Sequence, residues 1–217
     1  MLDKTAVDAF WNSRVTIQDP RIAANFGNDS RIVYDQALVS RYTSSGCSIL
    51  DLGAGSCTLT RPFLDSGCHV LAVEKTSGLL NKSPDRPNLV KVCSDILEFE
   101  TDQKFDVVLL FGVVNYIQGF EEEELYRKIK TLLHPTGVFL VKNQCGVDGE
   151  VKVDHVSDEL RQRYVARYPC QFAQEAALAQ HFDVSKHDIY PPELNRWDNT
   201  HFLAFICKNR SCSKLSS

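Results

Sequence analysis

No run of apolar residues in the 217-residue chain approaches the roughly 18 needed to cross a bilayer. Residues 1–30 hold no uninterrupted apolar core behind a basic start, so no signal peptide is expected. The eight cysteines include no CxxC pair, and the usual zinc spacing is therefore missing. Their even number invites a disulfide framework. Without a leader, reduced thiols in a cytoplasmic protein are the better reading, with Cys47, Cys93 and Cys207 in or beside strands and Cys57 in the glycine loop expected to serve as small apolar fill. There is no dense Lys/Arg run. Twenty-four basic against 28 acidic residues leave a net charge of −4, which gives no blanket attraction to phosphate backbones or anionic lipid. Neither an internal repeat nor a low-complexity tract interrupts the chain. What remains is ordinary globular composition, 43% hydrophobic and 24% charged, at a length suited to one domain with a modest addition.

Five segments read as strands buried on both faces: Ser48–Leu52, His69–Glu74, Leu89–Cys93, Phe105–Phe111 and Val138–Asn143. Each is short, rich in β-branched residues and nearly continuous in apolar character, the mark of a parallel sheet. Helical stretches fall between them. Glu121–Leu133 has four acids in its first turn and a basic end, which suits the helix dipole. Leu59–Leu64 predicts a short helix with Pro62 near its start. This alternation predicts an α/β fold, a doubly wound Rossmann-like sheet. Two helices are expected at Ser157–Tyr168 and Gln171–His181. Two antiparallel strands, Phe182–Tyr190 and His201–Lys208, would then close one sheet edge as a hairpin. Residues 1–45 carry two amphipathic stretches, Lys4–Ser13 and Asp29–Tyr42, and read as a helical cap. Residues 46–208 form the core, with an insert at 144–170 as a substrate lid, and 209–217 a polar tail.

The most informative segment is Ile49–Thr60, where a strand runs into Asp51-Leu52-Gly53-Ala54-Gly55. The two glycines let the backbone turn sharply and approach a ligand closely. The next helix is expected to start at this loop and aim its free N–H groups there. A dinucleotide fingerprint would want a small third residue where Thr58 stands. Asp51 is also a poor neighbour for a pyrophosphate and suits a cationic ligand better. Glu74 ends the second strand 21 residues after Gly53, placed to grip both ribose hydroxyls. Asp95 follows the third strand 21 residues later, where it could accept from an adenine amino group, with Ile96 against the ring.

Together with Ser94-Asp95-Ile96, Phe105-Asp106-Val107-Val108, Leu133-His134-Pro135-Thr136-Gly137 and the closing hairpin, these residues resemble the class I S-adenosylmethionine-dependent methyltransferases over roughly residues 45–208. The resemblance implies a seven-stranded sheet whose last strand alone runs antiparallel. It implies S-adenosyl-L-methionine as cofactor and S-adenosyl-L-homocysteine as product. The cofactor set it implies is Asp51, Gly53, Ala54, Gly55, Glu74 with its neighbour Lys75, Ser94, Asp95, Ile96, Phe111 and Gly112. Trp11 and Arg14 in the cap are expected to close over the cofactor, Arg14 on its carboxylate.

Ligands of open α/β sheets bind at the carboxyl edge. Asn115 and Tyr116, beyond the fourth strand, and Asn143 and Gln144, leaving the fifth, are therefore the substrate candidates. Tyr116, His155 and His201 are candidates for acid–base work. The expected reaction is an in-line methyl transfer to oxygen or nitrogen, with alignment and water exclusion doing most of the work and no metal. No N/D-P-P-Y/F/W motif follows the fourth strand, which disfavours amino methylation of DNA bases. A small molecule (metabolite, sugar or natural-product intermediate) is the expected substrate, with no nucleic-acid or membrane partner. A protein or RNA substrate is the alternative. A cofactor-binding protein without transferase activity, or a nicotinamide enzyme, is the reading from a different class. Monomer and homodimer stay open.

Overall fold

The structure, a computed structural model, describes residues 2–24, 29–157, 162–194 and 197–210. Its main sheet is built from β1 (Ser48–Leu52), β2 (His69–Glu74), β3 (Leu89–Cys93), β4 (Phe105–Phe111), β5 (Leu133–Gly146), β8 (Asp183–Asp188) and β9 (Thr200–Lys208). The order across the sheet is β3-β2-β1-β4-β5-β9-β8. The pairings from β3 to β5 are parallel, and β9 runs antiparallel to both β5 and β8. The chain therefore reverses its direction of travel across the sheet between β1 and β4. In a doubly wound fold that switch point opens a crevice at the carboxyl edge.

The continuous apolar runs are explained by two cores. One face of the sheet presents Leu50, Val108, Leu110, Phe139, Val141 and Phe205 to α6 (Gly119–Leu132) and α7 (Gln171–Ala179). The alternate residues Ile49, Val107, Leu109, Val138, Leu140 and Ile206 meet α3 (Asp29–Ser40) and α4 (Arg61–Asp65) on the other face, where Leu80 of the single turn α5 (Ser77–Leu80) joins the same cluster. A period of two sends successive side chains to opposite faces, so a strand covered on both must be apolar throughout. The α6 start is fixed by a capping box between Gln118 and Glu121. Before β1 lie α1 (Lys4–Arg14), capped by Asp3, and a single turn, α2 (Pro20–Ala23), with Asp19 as its cap and Pro20 at its first position.

Three expectations need correction. The helix expected at Ser157–Tyr168 is absent from 162–168, which form β7 (Gln162–Tyr168) paired antiparallel with β6 (Val151–Ser157); residues 158–161 lie outside the described set. Val165 and the aromatic Tyr164 and Tyr168 favour a pleated, half-buried surface, and cross-strand partners supply it. The hairpin is held by Arg167, which pairs with Glu122 of α6, with Glu150 at 3.0 Å and with the Ile117 carbonyl at 2.9 Å. The helix after the glycine loop begins only at Arg61, because residues 53–60 form successive turns. Lastly, Cys93 is exposed, whereas Cys47, Cys57, Cys68, Cys145 and Cys207 are buried thiols. Side-chain direction at the end of the partly covered β3 decides this, and composition does not reveal it.

Candidate functional site

A cavity of about 300 Å³ lies at the switch point, over the carboxyl ends of β1, β4 and β5. Its floor is the glycine loop. Gly53 sits at φ +80° and Gly55 at φ +54°, conformations that favour glycine. A Cβ on Gly53 would stand 2.3 Å from Val113 Cγ2, so the loop also needs its missing side chain for space. The N–H groups of Gly53 and Ala54 both donate to the Val73 carbonyl, at 2.9 and 3.0 Å, and tie the loop to β2.

Three acids line this floor: Asp51, Glu74 and Asp95. Asp51 is 3% exposed, and Thr60 Oγ1 donates to its Oδ2 at 3.3 Å. Burial pushes its carboxyl up to about 7, and the nearby Glu74 adds to the rise. Glu74 accepts from the Gly55 N–H at 2.9 Å and from the Thr76 N–H at 2.8 Å. Burial raises its carboxyl too, against those hydrogen bonds. Asp95 caps its own turn through the Leu97 N–H at 3.0 Å. Lys75 Nζ lies 3.0 Å from Asp8 of α1 and 3.5 Å from Asp95, and so joins the cap to the end of β3. An acidic floor of this kind fits a ligand that carries positive charge, because a cation there would relieve the carboxylates' shared desolvation.

Above the floor stand Trp11, Tyr116, Tyr164 and His155. The Trp11 and Tyr116 rings meet edge to face at 5.7 Å, and the hydroxyls of Tyr116 and Tyr164 are 3.1 Å apart. Burial raises the Tyr116 hydroxyl, so near neutral pH it stays a phenol. Asn115, Asn143 and Gln144 also face the cavity. Gln144 Nε2 donates to Thr200 Oγ1 at 2.7 Å. The carbonyl oxygens of Asn115 and Asn143 are buried and find no hydrogen-bond partner among the described residues. A buried acceptor left open in this way suits a donor on a ligand.

Of the residues singled out from the sequence, the cavity wall gathers Asp51, Gly53, Ala54, Gly55, Glu74, Lys75, Asp95, Ile96, Phe111, Gly112, Trp11, Asn115, Tyr116, Asn143, Gln144 and His155. Three fall elsewhere. Arg14 is buried beneath the cap, where Nε donates to the Ala23 carbonyl at 2.8 Å and a terminal nitrogen donates to the Ile22 carbonyl; its guanidinium closes α2 and does not face the cavity. Ser94 points away and donates to the Asp95 carbonyl at 3.1 Å. His201 lies on the sheet face opposite its cavity-lining neighbour Phe202, with Nδ1 3.8 Å from Asp188. The pleat moves adjacent residues to opposite faces, and a sequence position cannot tell which of the two enters the site.

Sequence reasoning missed Lys142, Asp35 and Tyr190. Lys142 Nζ is 3.2 Å from Asp35 Oδ2, and the Tyr190 hydroxyl donates to Asp35 Oδ1 at 2.8 Å. Burial raises the Asp35 carboxyl, opposed by Lys142 and by the Tyr190 hydrogen bond. One signal was legible: a lysine inside Val138–Asn143, a run otherwise fit for burial on both faces.

Residues 50–139 match a family described as a methyltransferase domain. Over 107 residues the chain is 26% identical to an uncharacterized methyltransferase of Geobacillus kaustophilus. That match takes in 48% of this chain, and the chain spans about half, 50%, of the length of this curated relative. Among solved structures, a complex of DhpI with S-adenosylhomocysteine superposes with a TM-score of 0.72 at 17% identity, covering 95% of this chain and 96% of that one. A Burkholderia thailandensis 1,6-didemethyltoxoflavin-N1-methyltransferase, bound to 1,6-didemethyltoxoflavin and S-adenosylhomocysteine, gives 0.71 at 17% identity, covering 97% and 92%. The glycopeptide N-methyltransferase MtfA with S-adenosylmethionine gives 0.63 at 17%, covering 82% and 93%. The sheet order, the acids around the glycine loop and the matched domain agree: this chain has the fold of the class I S-adenosylmethionine-dependent methyltransferases, with a helical region at its N-terminus.

Proposed function

We propose that the chain transfers a methyl group from S-adenosylmethionine to an oxygen or nitrogen of a small molecule. The observation that carries this reading is the acidic floor of the cavity: Asp51, Glu74 and Asp95 stand at the ends of β1, β2 and β3, around a loop whose glycines leave room for a ligand. When bound, S-adenosylmethionine supplies an electrophilic methyl on a sulfonium centre. Glu74 would accept from the ribose hydroxyls through lone pairs not used by Gly55 and Thr76. Asp95 and Ile96 would take the adenine. Asp51, raised to about 7 while no cation is near, gains a counter-charge and ionises. Phe111 and Gly112 lie beside the methionine end.

The acceptor would enter beneath Trp11, Tyr116 and the β6–β7 hairpin. Arg163 of this hairpin pairs with Asp3 at the start of α1, and Phe10 packs on Tyr164 at 5.2 Å. Cap and hairpin thus form one wall, which serves as the lid and keeps water from the reacting atoms. Catalysis would rest on alignment between Asn115, Asn143 and Gln144. His155 is the cavity-lining candidate for a base, needed only where the attacking atom must lose a proton. A cavity enclosed in this way favours a small acceptor over RNA or a protein. A cytoplasmic location is part of the proposal, and the free thiols Cys47, Cys57, Cys68, Cys145 and Cys207 support it.

The test is a calorimetric titration with S-adenosylhomocysteine and, separately, with NAD and NADP, followed by a metabolite screen for S-adenosylhomocysteine release. Micromolar binding of S-adenosylhomocysteine without nicotinamide binding is expected. Nicotinamide binding alone would overturn the reading. Binding with no acceptor across broad screens would favour a cofactor-binding protein.

A further inference from the structure

At the amino edge of the sheet, opposite the cavity, two cysteines stand side by side. Cys47 and Cys68 immediately precede β1 and β2, which pair in parallel with Ser48 opposite His69. The ladder continues past the strand starts: the His69 N–H donates to the Cys47 carbonyl at 2.8 Å, and the Gly46 N–H to the Gly67 carbonyl at 3.2 Å. Cys47 and Cys68 are therefore cross-strand neighbours. Both are buried in the cluster that holds Ile49 and Val70, on the face covered by α3 and α4. Adjacent strands lie about 4.8 Å apart, inside the Cα separation of about 4.4–6.8 Å that a disulfide accepts. The two sulfurs are already 3.1 Å apart. Closing them to a bond of about 2.05 Å asks for roughly one ångström of side-chain movement.

The two thiols differ in access. Burial pushes the Cys68 thiol up, which keeps it protonated, whereas Cys47 lines a surface groove with Tyr42, Ser44, Asp106 and Lys208. Cys68 Sγ lies 3.4 Å from the Ser44 carbonyl. That carbonyl also accepts from the Cys47 N–H at 3.1 Å, so loss of the thiol proton leaves it a partner. We propose that Cys47 and Cys68 are an oxidation site, which forms a reversible disulfide when the protein meets a hydroperoxide. The Cys47 sulfur, as thiolate, attacks the terminal peroxide oxygen. The O–O bond breaks, water or an alcohol leaves, and Cys47 becomes a sulfenic acid. The Cys68 sulfur then attacks the Cys47 sulfur. The S–O bond breaks, and hydroxide leaves as water with the Cys68 proton. Two electrons thus pass from the thiols to the peroxide, and a dithiol reductant restores both thiols. A transient bond of this kind is the usual form of a disulfide in a reducing compartment. It closes the chain over residues 48–67, which hold Asp51, the glycine loop and α4, and it ties β1 to β2 away from the carboxyl edge. It is independent of the methyltransferase reading.

The experiment treats the full chain with millimolar hydrogen peroxide in the absence of denaturant, then alkylates it with N-ethylmaleimide in urea. A protease that cuts before aspartate puts Cys47, Cys57 and Cys68 on separate peptides, 35–50, 51–64 and 65–84. Mass spectrometry should find 35–50 joined to 65–84, with Cys57 alkylated on 51–64, and dithiothreitol should separate the pair. The oxidised chain should melt roughly 5–10 °C above the reduced one, because the bond closes a loop of about 20 residues in the unfolded state. Cys47→Ala and Cys68→Ala, each checked for folding by its melting curve, should show neither the link nor the rise. The proposal is overturned if the folded wild type keeps both thiols open to alkylation or links either to another cysteine. It is overturned equally if the link forms only in urea, or if the linked chain melts below the reduced one.

Discussion

Replacing Asp51 by asparagine should make the fold more stable and cofactor binding weaker, and the first effect has a pH signature. The buried carboxyl titrates at about 7 in the folded chain, against an ordinary value of 3.8 once unfolded. Between these values the folded state holds a proton that the unfolded state has released. The stability this proton contributes is complete below about pH 4 and is lost as the pH rises through about 7. One pKa unit corresponds to about 1.36 kcal/mol, so the loss reaches roughly 4 kcal/mol by pH 8 and roughly 1.5 kcal/mol at pH 5. Asparagine does not ionise. The stability gap between Asp51→Asn and wild type should therefore widen by about 2.5 kcal/mol from pH 5 to pH 8. Urea unfolding at the two pH values, without ligand, measures it. In the wild type, S-adenosylmethionine affinity should weaken up to about tenfold per pH unit below 7, because a cation binds the ionised form. A gap identical at both pH values would refute the reasoning, since the carboxyl would then not be ionising inside the fold.

Glu74→Gln keeps the shape of the side chain but turns one acceptor oxygen into a donor against the N–H of Gly55 or Thr76. S-adenosylhomocysteine affinity should drop by about tenfold or more in calorimetry, and unchanged affinity would rule out the ribose role. Gly53→Ala brings a Cβ to 2.3 Å from Val113 at φ +80°. A loss of about 2–4 kcal/mol in chemical unfolding is expected, part of it recovered by adding Val113→Ala. Arg167→Met leaves Glu122 of α6 without its cation. Stability should fall by about 3–5 kcal/mol, and the Glu122→Gln/Arg167→Met double variant should regain much of it in the same assay.

The glycine loop, the spacing of its acids and the alternation of buried strands with helices were determined by the sequence alone. Each is local: D-x-G-x-G can be read because only glycine turns there, and Glu74 and Asp95 because each sits where a strand ends. The parallel core was legible for a related reason, since strands covered on both faces must be apolar in every position. Tertiary structure decided what depends on direction and on distant partners. Residues 162–168 became a strand because β6 lies across from them. Arg14 turned to close α2, and His201 faced away from the cavity that Phe202 enters, a choice made by sheet register and not by residue type. Lys142 looked like a lone charge in a strand until α3 brought Asp35 beneath it, and the loop after β8 brought Tyr190. Those residues are far apart in the chain, and only the packing of α3 on the sheet makes them one site.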